Sequence, residues 1–113
     1  MNYSGQPLLK EALPELASEL YDLLMKKNAK ILAQQIDSLR IVELCNCGGE
    51  FCSTFYTLPK PNDRWDGELY SVELERKNGI IVLDVVDNKI AQVEILFRND
   101  IKRKLEELSN LPE

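Results

Sequence analysis

Histidine is absent from this chain of 113 residues. Cysteine nucleophiles are usually activated by a histidine base, so the chain cannot supply a Cys-His site of its own. No other nucleophile stands in a known catalytic setting, and no glycine-rich loop of the phosphate-binding kind is present. No apolar run approaches the length of a membrane span. These absences favour a non-enzymatic protein that does not cross a membrane.

Basic residues are also scarce, since 14 lysines and arginines stand against 19 aspartates and glutamates and leave a net charge of -5. Nucleic-acid binding draws much of its affinity from basic residues that neutralise phosphates. An acidic membrane surface would repel a chain of this charge. We therefore expect neither a nucleic-acid partner nor a membrane partner.

The start of the chain does not resemble a secretory signal peptide, because Lys10, Glu11 and Pro14 interrupt its first apolar stretch. The three cysteines are an odd number, which argues against a closed disulfide framework. Both observations predict a cytoplasmic protein, where thiols are kept reduced.

The length suits a single domain over residues 1–113. Apolar residues recur every three or four positions from Leu8 to Met25, which predicts a helix with one buried stripe. Pro14 suits a first helical turn, and Asn28 is expected to cap a second helix that extends to Ile36. These features predict an N-terminal helical hairpin over about residues 8–36.

Beyond residue 38 the pattern changes to the alternation that is typical of β-strands. The Asn78-Gly79 pair favours a two-residue hairpin turn, because both central positions of such a turn need positive φ. Folding the chain there places Leu74 opposite Leu83 and Val72 opposite Val85. All four side chains then lie on one face of the sheet.

A second hairpin is predicted at residues 87–89. A three-residue loop there pairs Leu83 with Val93 and Ile81 with Ile95, whereas a two-residue turn would bring polar side chains onto the apolar face. The longer loop is therefore expected.

Together these signals predict an α+β fold, with the helical hairpin, a five-stranded antiparallel meander over about residues 40–97 and a C-terminal helix over about residues 100–109. The helices are expected to cover one face of the sheet. Glu73, Glu75 and Asp84 alternate with apolar residues, so we interpret them as the solvent face of the sheet rather than as calcium ligands or catalytic acids.

The cysteines form one cluster if Gly48-Gly49 is a two-residue turn, because that turn places Cys45 opposite Cys52 and puts Cys47 and Glu50 on the same face. Three thiolates and a carboxylate could complete a tetrahedral zinc shell. Alternatively, Cys45 and Cys52 could exchange between thiols and a disulfide, or the cysteines could simply pack as small apolar side chains. Zinc is thus a possible ligand, and no other cofactor is expected.

The run Cys45–Thr57, followed by the Trp65 loop and the segment Val82–Asp87, resembles a family of small uncharacterised bacterial proteins with the signature C-x-C-G...C-[AS]-T-F-Y-T. The stretch from Ile80 to Leu96 also resembles a bacterial domain in which strand pairs end in V-x-x-[VI]-E-I. These resemblances imply the α+β fold and a bacterial cytoplasmic setting. They carry over no functional residue.

Two exposed features have a functional and a structural interpretation. The loop that contains Arg64 and Trp65 could present both side chains to a partner, or Trp65 could fold back onto the core. Lys102, Arg103 and Lys104, with Arg98, could form an anion or acidic-partner site, or they could be a solvated helix face.

The absence of catalytic equipment and the one-sided sheet favour an interaction module that binds an unknown protein or associates with itself through an exposed sheet face or edge. The alternative is a cysteine hairpin that binds zinc or senses oxidants.

Overall fold

The computed structural model describes residues 6–45, 49, 52–59, 61, 64–74 and 79–109. Helices precede and follow an antiparallel sheet, as predicted for an α+β chain. The helices are α1 (Leu9–Ala12), α2 (Pro14–Lys26), α3 (Lys30–Gln35), a 3₁₀ turn (Ile36–Ser38) and α4 (Asn99–Ser109). The strands are β1 (Glu43–Leu44), β2 (Phe55–Tyr56), β3 (Leu69–Leu74), β4 (Ile80–Val86) and β5 (Lys89–Leu96).

Helix α2 begins at Pro14, as its sequence predicts, but the role predicted for Asn28 is wrong. Asn28 adopts φ 61° and donates its N–H to Met25 O at 3.0 Å, while Ala29 N donates to Leu24 O at 2.9 Å. This pair of bonds is the Schellman arrangement that ends a helix. Asn28 therefore terminates α2, because asparagine tolerates the left-handed backbone that this arrangement needs.

The five strands lie in the order β1-β2-β5-β4-β3, so the predicted meander is wrong. Strand β2 pairs with β5, where Phe55 lies opposite Val93, and not with β3. Strand β5 buries apolar side chains along eight residues and suits an interior position, whereas β3 is exposed along most of its length and suits an edge. The connection from β2 to β3 therefore crosses from one part of the sheet to its opposite edge.

The β4–β5 hairpin confirms the predicted pairs Leu83 with Val93 and Ile81 with Ile95. The predicted three-residue loop is wrong, because Val86 pairs with Lys89 across a turn of two residues. Those residues, Asp87 and Asn88, have φ values of 50° and 66°, as a type I′ turn requires. The extra residue instead forms a bulge within β5. On the partner strand β4, Asp84 pairs with Gln92 and the next residue, Val85, pairs with Ile90.

The β3–β4 register differs from the prediction by two residues. Leu74 lies opposite Ile81 and Val72 lies opposite Leu83. A shift of two residues returns every side chain to the same face, so the predicted apolar face is retained although the predicted partners are wrong. The Asn78 end of the predicted turn lies outside the described residues.

The core lies between the helices and the apolar face of the sheet, which we call the inner face. Helices α2 and α4 direct apolar stripes onto it, and the fully buried side chain of Phe55 fills the position where β2 meets β5. The strand contribution consists of Phe55, Leu74, Ile81, Leu83, Val85, Ile90, Val93 and Ile95.

Replacing Gly79 by alanine is expected to lower the free energy of unfolding by about 2 kcal/mol. Gly79 has φ 76°, and an added Cβ would lie 2.8 Å from Leu96 O and 2.7 Å from Cγ of Arg98. The carbonyl oxygen belongs to a β5 residue that pairs with β4, so it cannot move away cheaply. Chemical denaturation measures the loss. Glu73→Ala, at an exposed strand position, is the control that should change little.

Candidate functional site

The cysteine hairpin differs from its prediction in register. Cys45 N donates to Thr54 O at 2.9 Å, so Cys45 lies opposite Thr54 and the predicted opposition of Cys45 and Cys52 is wrong. Cys52 instead forms a bridge with Leu96 of β5. Both cysteines are half-buried thiols. The shift is again two residues, which leaves Cys45 on the face predicted for it.

The predicted zinc site stays a prediction. Cys47 and Glu50, two of its four proposed ligands, lie outside the described residues. Within the described ranges, no group of three histidine, cysteine, aspartate or glutamate side chains could hold a metal ion.

The loop before β3 turns its tryptophan toward the sheet. The rings of Trp65 and Tyr56 are tilted by 45° with their centroids 6.3 Å apart, and Trp65 is half-buried. The side chain of Asp87 fixes the end of this loop, because Glu68 N donates to Asp87 Oδ1 at 2.9 Å. Arg64 is exposed. The Tyr56 contact favours the structural interpretation of Trp65, and a partner-binding role for Trp65 and Arg64 stays a prediction.

Arg98 is engaged by acidic side chains of its own chain. Its Nη1 and Nη2 donate to the two carboxylate oxygens of Glu19 at 2.9 and 3.2 Å, and its Nε and Nη2 donate to Asp100 at 3.1 and 3.0 Å. The Asp100 contact, followed by the Glu19 contact, raises the pKa of Arg98, and Arg98 holds the pKa of Asp100 below its usual range. This cluster joins the β5–α4 junction to helix α2.

The lysines of α4 have similar intramolecular partners. Lys102 Nζ donates to Gly49 O at 3.0 Å, and Lys104 Nζ lies 2.9 Å from Glu15 Oε1. Together with the Arg98 cluster, these contacts favour a structural role for the basic residues over the anion-binding interpretation. They tie α4 to the cysteine hairpin and to α2.

The face of the sheet that points away from the helices, here the outer face, contains a carboxyl pair that the sequence interpretation missed. Asp84 lies on the face predicted for it, but it is only 8% exposed, so the prediction that solvent surrounds this side chain is wrong. Ser71 Oγ donates to Asp84 Oδ1 at 2.7 Å. A side-chain hydrogen bond with Asp84, reinforced by burial and by the charge of Asp84, raises the pKa of Glu94 to about 7.

The carboxyl pair was accessible to pattern reasoning. The predicted β4–β5 pairing already placed Glu94 opposite Val82, which makes Glu94 a diagonal neighbour of Asp84 on one face. Chemically, the arrangement holds a proton between two carboxyl groups, so the outer face changes its charge near neutral pH.

Strand β3 is an open edge of the sheet. Among the described residues it pairs only with β4. Asp87 N donates to Glu68 O at 3.0 Å, in register with the β3–β4 ladder. Antiparallel ladders alternate between residues that bond to the neighbouring strand and residues that do not, so every second residue from Glu68 bonds to β4. The backbone groups of the others point away from the sheet, and these are Leu69, Ser71 and Glu73.

Among the described residues, no helix combines the length and the apolar character that crossing a bilayer requires. Comparison of the chain with protein-family models, with curated proteins and with solved structures found no match.

Proposed function

We propose that this protein is a non-catalytic interaction module that associates with a second copy of itself through antiparallel pairing of the two β3 strands. The observation that carries the proposal is the direction in which the backbone groups of β3 point. The N–H and C=O groups of Leu69, Ser71 and Glu73 point outward, and each backbone hydrogen bond that they form across an interface contributes about 1 kcal/mol.

Apart from the charge of Glu73, strand β3 lacks the features by which edge strands usually avoid such pairing. It contains no proline and no lysine, and its six pairs with β4 run without a bulge. Leu69 is 51% exposed and Tyr70 is 43% exposed, so apolar surface lies next to the open backbone groups. The opposite edge strand, β1, has only two residues and offers a much shorter template.

The β3 sequence is self-complementary in an antiparallel arrangement centred on Ser71. In that register, Tyr70 of one copy lies beside Val72 of the other on the inner face, where both extend the apolar layer. On the outer face, Glu73 lies beside Leu69 of the other copy. The two Glu73 carboxylates, which are the only charges on β3, are therefore kept apart. A two-fold contact of this kind closes into a dimer.

Glu73→Pro is expected to convert a dimer into a folded monomer. The substitution removes an N–H that points away from β4, so it blocks pairing between copies and leaves the β3–β4 ladder intact. Sedimentation velocity at micromolar concentration measures the oligomeric state, and far-ultraviolet circular dichroism checks the fold. Glu73→Ala removes the same side chain but keeps the N–H, so this control should remain a dimer.

A second substitution tests which β3 residues bond to β4 and which point outward. Val72→Pro removes an N–H that bonds to β4 and should destabilise the fold itself. A wild-type protein that sediments as a monomer would overturn the proposal. So would a Glu73→Pro variant that remains a dimer, because another surface would then be responsible.

A further inference from the structure

An open groove of about 520 Å³ lies at the end of the sheet where β2 ends and β5 begins. Its volume falls within the range of ligand-binding pockets. Leu39 and Ile90 are buried in its floor, and Val42 and Leu58 are half-buried beside them. The groove is separate from the β3 edge, since β4 lies between β5 and β3.

Both sides of the groove are held by specific hydrogen bonds. Gln35, at the end of α3, accepts from Ile90 N at 2.9 Å and donates to Asn88 O at 2.6 Å. Thr57, at the end of β2, donates from Oγ1 to Ile90 O at 2.7 Å. These contacts fix the helical side and the strand side of the groove to the same β5 residue. The groove is thus largely preformed.

The charge of the groove is opposite to that of the chain. Arg40 and Lys89 are exposed in its lining, and none of the described residues that line it is acidic. The chain as a whole carries a net charge of -5. Arg40 is oriented by its Nη1, which donates to Gln6 O at 2.8 Å. Two cations beside an apolar floor match a ligand that has one anionic end and one apolar end.

We propose that this groove binds an organic anion with an apolar body, such as a carboxylate or phosphate on an alkyl chain. The headgroup contacts Arg40 and Lys89, and the apolar body lies against the half-buried Val42 and Leu58, beside the buried Leu39 and Ile90. The site is independent of self-association through β3.

Titration calorimetry with decanoate and decyl phosphate tests the proposal on the full chain. At least one of these anions should bind with one-to-one stoichiometry. In NMR spectra recorded with that anion, the chemical shifts of backbone amides should change only for groove residues. Decyl phosphate should bind more tightly if both cations contact the headgroup. Acetate, which lacks the apolar body, and decylammonium, which reverses the charge, should bind much more weakly.

Lys89→Gln and Arg40→Gln should each weaken binding of the anion about tenfold, as expected for the loss of one charge-assisted contact. Arg103→Gln makes the same change of charge on an exposed α4 position outside the groove and is the control. Lys89 is exposed, so its variant tests the site even if Arg40→Gln does not fold. Three results would overturn the proposal: no binding of either anion, equal binding of decylammonium, or unchanged affinity in Lys89→Gln.

Discussion

Arg98→Met is expected to lower the free energy of unfolding by about 3 kcal/mol. The Arg98 side chain is 11% exposed and bonds to a Glu19 carboxylate that is 17% exposed. Methionine keeps much of the side-chain volume but leaves that carboxylate without its arginine in a largely buried position. Loss of one partner from such a pair costs far more than the net contribution of the pair itself. Denaturant titration near neutral pH measures the change.

An exposed ion pair between α4 and α2 provides the control. Lys104 and Glu15 have side chains that are 40% and 85% exposed, so Lys104→Met makes the same change of charge where solvent screens the interaction. It should leave the free energy of unfolding nearly unchanged. Adding Glu19→Gln to Arg98→Met should recover part of the loss. Equal stability of Arg98→Met and Lys104→Met would contradict the structural role assigned to Arg98.

The Asp84–Glu94 pair is expected to make the protein less stable as the pH rises through neutrality. The pKa of Glu94 is about 7 in the folded chain, against 4.5 as its ordinary value. The folded state therefore holds this proton more tightly, and the stabilisation is complete below pH 4.5 and lost as the pH rises through 7. The expected change is about 2 kcal/mol, which allows for partial exposure of Glu94.

Glu94→Gln isolates this effect from the other carboxylates. The glutamine amide can donate to Asp84 as the protonated carboxyl does, but it does not titrate. Wild type and variant should unfold at similar denaturant concentrations at about pH 5, and the variant should be the more stable at about pH 8. Glu73→Gln, an exposed change on the same face, should show no such divergence. Parallel pH profiles for wild type and Glu94→Gln would refute the shared proton.

The sequence was informative about faces and much less so about partners. Alternation assigned Leu74, Leu83 and Val85 to the apolar face, and all three are buried. Yet the β3–β4 and β1–β2 registers both differ from prediction by two residues. The reason is that alternation restricts a register only to every second possibility, so two alignments separated by two residues bury the same side chains. Turn geometry has to choose between them.

The β4–β5 hairpin illustrates a compensating error. The apolar pattern correctly required one additional residue between the paired segments, and the prediction placed it in the loop. In the structure, Asp87 and Asn88 accept positive φ, so the turn closes with two residues and the surplus is taken up as a bulge within β5. The hydrophobic pattern indicates that a residue is extra, but not where the backbone places it.

The groove beside Gln35 depends on a contact between distant segments, which is why it escaped prediction. Gln35 and Ile90 meet across the helix-sheet boundary, although they are 55 residues apart in the chain. The strand order could not be predicted for a similar reason. Alternation shows which side chains of β5 are buried, but it does not show whether β2 or β3 pairs with β5. The exposure of β3, which identifies it as an edge strand, is evident only from the structure.

The strand order also bears on how the chain assembles. Strands β3, β4 and β5 are consecutive in the chain and pair with their neighbours in sequence, so we expect them to pair early in folding. Strand β2 reaches β5 only when a much longer loop closes, and it contributes two residues when it arrives. We therefore expect the β1–β2 ribbon to be the last part of the sheet to dock and the first to detach, with burial of Phe55 as the main contact that holds it in place.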